Sequence, residues 1–89
     1  MKNPVYTTKF KKEYSAYMKR QKNIAKIDDI IVKLINEEKL PVKNRDHALH
    51  GEYDGCRSCH IEPDWVLIYE ITGSDIYFHR TGSHSNLYE

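Results

Sequence analysis

Eighty-nine residues, 39% of them hydrophobic and 30% charged, make one domain (1–89) with room for only a modest core. No apolar run approaches the roughly 18 residues a membrane span needs, nothing is repeated or low in complexity, and Met1-Lys2-Asn3-Pro4 lacks the apolar core of a signal peptide. A soluble cytoplasmic protein with no membrane contact is expected. The net charge of +1 is unevenly spread, with 12 basic and 6 acidic side chains from Met1 to Asp46 and 2 and 7 from His47 to Glu89. Such polarity fits a basic flank for phosphate or an acidic partner, and equally two solvated, lysine-rich helices.

In chain order, Asn3 to Thr7 reads as a short first strand. Thr7 or Thr8 can cap a helix in which Phe10, Tyr14, Tyr17 and Met18 recur at helical steps. Asn23 can cap a second helix with Ile24, Ile27, Ile31, Leu34 and Ile35 on one stripe. Glu37 and Glu38 sit unfavourably near its end, and Leu40-Pro41 stops it. Val42 to Asp54 is polar and reads as a loop with room for a short strand. Cys56 to Ile61 is a strand, Trp65 to Ile71 a central strand covered on both faces, Thr72 to Asp75 a turn, and Ile76 to Arg80 the last strand. Gly82 ends it and Ser83 to Glu89 is a tail. The order predicts an α+β fold, an N-terminal strand and an antiparallel helical hairpin packed on a three-stranded antiparallel meander.

Chemistry is concentrated in the second half. All five histidines lie between His47 and His84, while no lysine follows Lys43. Histidine is the side chain that gives and takes a proton near neutral pH; a lone histidine is more often an ordinary surface or core residue. His60, Glu62 and Asp64 bracket Pro63, so the central strand is entered through a turn bearing three ionisable groups. Cys56-Arg57-Ser58-Cys59-His60 matches the spacing of c-type haem attachment. That chemistry belongs to exported proteins, however, and two cysteines are too few for a usual structural zinc site. The plainer reading is two small strand residues whose side chains face opposite sides of the sheet. No cofactor and no metal is expected.

Three stretches carry a family resemblance: Asp46-His47-Ala48-Leu49-His50-Gly51, Arg57 to Tyr69, and Arg80-Thr81-Gly82-Ser83-His84-Ser85-Asn86-Leu87-Tyr88. In content and order they resemble the YafQ branch of the RelE/ParE superfamily, bacterial type II toxin–antitoxin ribonucleases. The resemblance spans the chain and is densest from His47 to Tyr88. It implies a RelE-like fold and ribosome-dependent endonucleolytic cleavage of mRNA on the 70S ribosome. It also implies silencing by a small acidic DinJ/RelB-like antitoxin in a heterotetramer, with operator DNA reached only through that antitoxin. Active-site positions implied by the resemblance are His47, His60, Asp64 and His84 for catalysis, and Trp65, Arg80 and Tyr88 for holding substrate. Cys56, Cys59, His50 and His79 receive no role.

These residue types suit metal-free RNA cleavage. A base removes the 2′-OH proton, the oxygen attacks phosphorus, and an acid protonates the leaving 5′-oxygen, with a cation for the developing charge. Imidazoles and one carboxylate can serve as base and acid, and Arg80 or an imidazolium as the cation. Trp65 and Tyr88 can stack on splayed bases, although a tryptophan at a strand start is as often core. The alternative from another class is a ParE-like toxin that inhibits DNA gyrase by binding, for which histidines and a carboxylate at motif spacing have no use.

Overall fold

The computed structural model describes residues 1–20 and 23–88. Along the chain run β1 (Asn3–Tyr6), α1 (Thr8–Lys19), α2 (Ile24–Ile35), β2 (His47–Ala48), β3 (Arg57–Glu62), β4 (Trp65–Thr72), β5 (Asp75–Gly82) and α3 (His84–Tyr88), with 3₁₀ turns at Val42–Asn44 and Gly51–Tyr53. The fold is α+β, as expected, and the β3-β4-β5 meander forms the middle of a larger sheet. That five-stranded sheet has the order β1-β5-β4-β3-β2. β1 lies parallel to β5, with Asn3 opposite Asp75 and Tyr6 opposite Phe78. β2 adds two antiparallel residues beside β3, His47 opposite Ser58 and Ala48 opposite Arg57.

α1 starts because the Thr7 hydroxyl accepts the Phe10 N–H at 3.1 Å. Asn23 occupies the N-cap position of α2, but its side chain makes no capping bond. At the other end the helix is closed before Leu40-Pro41 is reached. Glu38 N–H donates to Lys33 C=O and Glu37 N–H to Leu34 C=O, with Glu37 left-handed at φ 61°, which is a Schellman closure. Glu37 also accepts the N-terminal ammonium at 2.8 Å. This is a use for a carboxylate that helix polarity alone disfavours. The two helices are joined by Tyr14, whose hydroxyl donates to Asp28 Oδ1 at 2.7 Å.

One face of the sheet carries the main core. Phe10 and Tyr17 of α1 and Ile27, Ile30, Ile31 and Leu34 of α2 bury Cys59, Ile61, Trp65, Leu67, Tyr69, Ile76 and Phe78. Met18, expected on the same stripe, is 53% exposed, because the buried face of α1 is narrowed to Phe10 and Tyr17. Ile71 is likewise exposed, although its cross-strand partner Ile76 is buried. The other face is smaller. Val66 and Ile68 are covered by Leu87, with Leu49, Tyr53, Cys56 and Tyr88 packed around them. The segment expected to be a tail therefore closes β4 from the second side, and α3 is a structural element. Gly82 permits this approach, since a methyl at its Cα would stand 3.3 Å from Leu87 Cδ2.

Candidate active site

On that second face, His47, Leu49, Ser58, His60, His84 and Tyr88 line an open cleft of about 270 Å³. Three elements meet there: β2 brings His47, β3 brings Ser58 and His60, and α3 brings His84 and Tyr88. Alternation on β3 turns Ser58 and His60 away from the helix-covered Cys59 and Ile61. His60 Nδ1 lies 3.2 Å from the Pro63 carbonyl oxygen. A carbonyl only accepts, so Nδ1 carries the proton and the neutral ring leaves Nε2 free to take one. His47 is held alike, Nδ1 at 2.6 Å from Arg45 C=O. Asn44, buried and donating to His60 C=O at 2.7 Å, fixes the strand where this histidine sits.

His84 and Tyr88, one helical turn apart, have ring centroids 4.6 Å apart. The Tyr88 hydroxyl donates to Ser58 Oγ at 3.0 Å, pinning α3 onto β3. Asp64 accepts the His84 backbone N–H at 3.2 Å. It thus orients the start of α3 without lining the cleft, whose wall is built by the three histidines with Leu49, Ser58 and Tyr88.

Trp65 and Arg80 do not present themselves to a substrate. Trp65 is 2% exposed, stacked on Tyr17 at 4.7 Å, and its Nε1–H donates to Thr81 Oγ1 at 3.0 Å. Its ring faces are spent on the core and are closed to a base. Arg80 forms a fork with Glu13, Nε and Nη2 at 2.7–3.0 Å from the two carboxylate oxygens. Its charge is thereby already balanced, and the Glu13 carboxylate holds the guanidinium pKa above its ordinary value. Of the two cations considered for the transition state, the imidazolium is the one the geometry leaves available.

Tyr53, Asn44 and Glu13 are contributors outside the three motif stretches, and Ser58 lies inside one without having been given a role. Glu13 also takes the Thr81 N–H at 3.1 Å, filling the edge of β5 beyond the end of β1. Tyr53 Oη donates to Leu87 C=O at 3.1 Å. Asp46 is held by Tyr69 Oη at 2.6 Å and Arg57 Nε at 3.2 Å, which sets β2 and hence His47. Each acts through a long-range contact and has no local sequence signature. The two cysteines do pack against opposite faces, Cys59 under the helices and Cys56 on the second side. Burial pushes the Cys59 thiol up to about 12, so it stays protonated at neutral pH.

Residues 2–89 match the family described as the bacterial toxin of type II toxin–antitoxin system, YafQ. The chain belongs to the YafQ toxin family. It is 38% identical over 84 residues to the mRNA interferase toxin YafQ of Escherichia coli K12, covering 93% of this chain and 91% of that one. The crystal structure of YafQ from E. coli BL21(DE3) is similar at a TM-score of 0.94 and 34% identity, with both chains fully covered. YafQ in the E. coli DinJ–YafQ complex matches at 0.93 and 36%, again over both whole chains. The non-enzymatic ParE-like alternative is not favoured by these YafQ matches.

Proposed function

We propose that this YafQ-family chain is a ribosome-dependent endoribonuclease. It cleaves mRNA by metal-independent attack of the 2′-OH on the adjacent phosphorus, leaving a 2′,3′-cyclic or 3′-phosphate and a 5′-OH. The observation that carries this reading is the convergence of His47, His60, His84 and Tyr88 on one cleft, in a chain so similar to proteins named mRNA interferases. His60, with Nε2 unprotonated in its neutral form, suits the base that takes the 2′-OH proton. His84, across the cleft on α3, suits the acid that protonates the leaving oxygen. His47 as imidazolium supplies charge to the phosphorane, Asp64 positions His84 through its backbone, and Tyr88 offers a ring beside the scissile step.

A second groove of about 520 Å³ shares His60 and is lined by Lys26, Lys33, Lys43 and Arg45. Lys26 and Lys33 are paired with Glu62 at 3.0 Å and Asp29 at 3.1 Å. Lys43 and Arg45 remain for phosphates of a strand entering the cleft.

Two surfaces suit a DinJ/RelB-like antitoxin. One is the exposed face of α1 with Lys9, Lys11, Lys12, Lys19 and Arg20, continued by Lys26 of α2; Lys22, expected on the same face, lies outside the described residues. The other is β1, whose outer edge is open to an added strand. Assembly as a heterotetramer, with operator DNA touched only by the antitoxin, follows from the family reading. Among the described residues no helix is long and apolar enough to cross a membrane, and the cytoplasm is where mRNA and ribosomes are met.

The test is a ribosome-bound mRNA carrying a single 2′-deoxynucleotide at the cleavage position. Cleavage there should stop while cutting at other positions continues, and the normal product should carry a 5′-OH. Undiminished cutting at the 2′-deoxy position would refute 2′-OH attack, and inhibition of gyrase without RNA cleavage would restore the ParE-like reading.

A further inference from the structure

Away from the cleft, three metal-ligand side chains from three neighbouring segments meet on the same face of the sheet. Cys56 just before β3, Glu70 of β4 and His79 of β5 each place one ligand atom within 4.8 Å of the other two. His79 Nε2 lies 2.9 Å from Glu70 Oε1. The register accounts for the convergence. Arg57 pairs with Tyr69, which sets Cys56 level with Glu70. On β5 the pairing jumps from Ile68–Arg80 to Tyr69–Phe78, so His79 is the unpaired bulge residue. A bulge bends its strand and re-aims the side chains it carries.

The plain reading is a surface His–Glu pair beside a small apolar cysteine, since Cys56 also packs against the Val66 and Ile68 cluster. A pair explains two of the three groups. It does not account for the third ligand atom, the Cys56 sulfur, standing within 4.8 Å of both.

We infer that Cys56, Glu70 and His79 bind a borderline divalent cation, Zn²⁺ before others, with solvent in the fourth position. Sulfur, imidazole nitrogen and one carboxylate are the donors Zn²⁺ takes, whereas Mg²⁺ and Ca²⁺ want oxygens alone. Donors about 2.0–2.3 Å from a tetrahedral ion stand roughly 3.2–3.6 Å apart, so side-chain rotations of an ångström or less close the site. Cys56 is four residues from His60 along extended chain, roughly 13 Å at about 3.3 Å per residue. The ion is therefore outside the catalytic cleft and its role is structural. It ties β3, β4 and β5 together beside Tyr53, whose hydroxyl receives Arg80 Nη1 and donates to Leu87 C=O, each at 3.1 Å. The floor under α3 is stiffened without the ion touching RNA.

The experiment uses the reduced, chelator-stripped protein titrated with Zn²⁺ against a chromophoric competitor, followed by thermal unfolding. One ion per chain and a raised unfolding midpoint are expected. Loss of a ligand should weaken binding by more than the about 10–100-fold that losing a ligand's supporting partner brings. Cys56→Ser and His79→Gln should each do this, while His60→Ala/His84→Ala binds as wild type. Co²⁺ should give a thiolate charge-transfer band that Cys56→Ser lacks. Absence of binding by wild type would overturn the inference. So would binding that survives His79→Gln and vanishes in His60→Ala/His84→Ala. Cleavage by the stripped protein is expected to persist; a loss restored by Zn²⁺ would instead refute metal-independent catalysis, with the binding site still standing.

Discussion

His60 and His84 differ in how they are held, and the proposed division of base and acid rests on that difference. His60 is half-buried on a strand, its tautomer set by Pro63 C=O. His84 is exposed on α3, and its backbone is oriented by Asp64. A group whose only task is proton transfer can be removed without disturbing packing. His84→Ala should therefore lower cleavage by on the order of 10²–10⁴ and leave thermal unfolding near wild type; single-turnover rates and calorimetry together check this. The opposite pattern belongs to Trp65. Trp65→Phe keeps the stack on Tyr17 but removes the donor to Thr81 and leaves space behind, a loss of roughly 1–3 kcal/mol in stability. Its single-turnover rate should stay near wild type. A collapsed rate with unchanged stability would return Trp65 to the substrate.

At the scale of elements, what closes a helix or bends a strand decides where side chains arrive. The end of α2 requires a left-handed residue, and Glu37 supplies it against its own preference. Its pKa is lowered by the N-terminal ammonium and then Lys2, and because the side chain is exposed the ion pair returns little. Glu37→Gly should consequently raise stability, because glycine takes the left-handed conformation without a Cβ clash, seen as a higher urea midpoint with unchanged slope. A lower midpoint would mean that the ammonium contact outweighs backbone strain. Bulges in β3 and β5 act on the two faces of the sheet. One sets Ile61 apart between His60 and Glu62, the other His79 beside Glu70.

For the molecule as a whole, charge is divided as the chain is divided. The lysines of α1 are exposed on the helical layer, the histidine cleft opens on the other face of the sheet, and Lys26 and Lys33 of α2 border the groove that shares His60. On the function proposed above, an acidic antitoxin drawn to the α1 lysines would meet a surface separate from the histidine cleft and would silence the toxin by blocking its entry to the ribosome. Association should slow as salt rises, because exposed charges are screened over about 8–10 Å near physiological ionic strength. Lys11→Glu/Lys12→Glu should lower the association rate more than it raises the dissociation rate. Stopped-flow kinetics across a salt series measure both. Indifference to salt and to these reversals would leave binding to apolar contacts and the β1 edge.

Local patterning in the amino-acid sequence by itself determined the helical hairpin, the buried strand Trp65–Thr72 and the histidine-bearing turn. Helical spacing, alternation and Pro63 each act within a few residues. The motifs likewise singled out His47, His60, His84 and Tyr88, which the fold does bring to one cleft. What only tertiary structure decided depends on partners distant in sequence. The sheet gained β1 and β2 because β5 and β3 had open edges, and Ser83 to Tyr88 became a helix because Val66 and Ile68 needed a cover. Trp65 was claimed by Tyr17 and Thr81 before any base could reach it. Arg80 was claimed by Glu13, 67 residues away. A residue type declares what chemistry it can do; burial and the nearest opposite charge, set by the whole chain, decide whether it is free to do it.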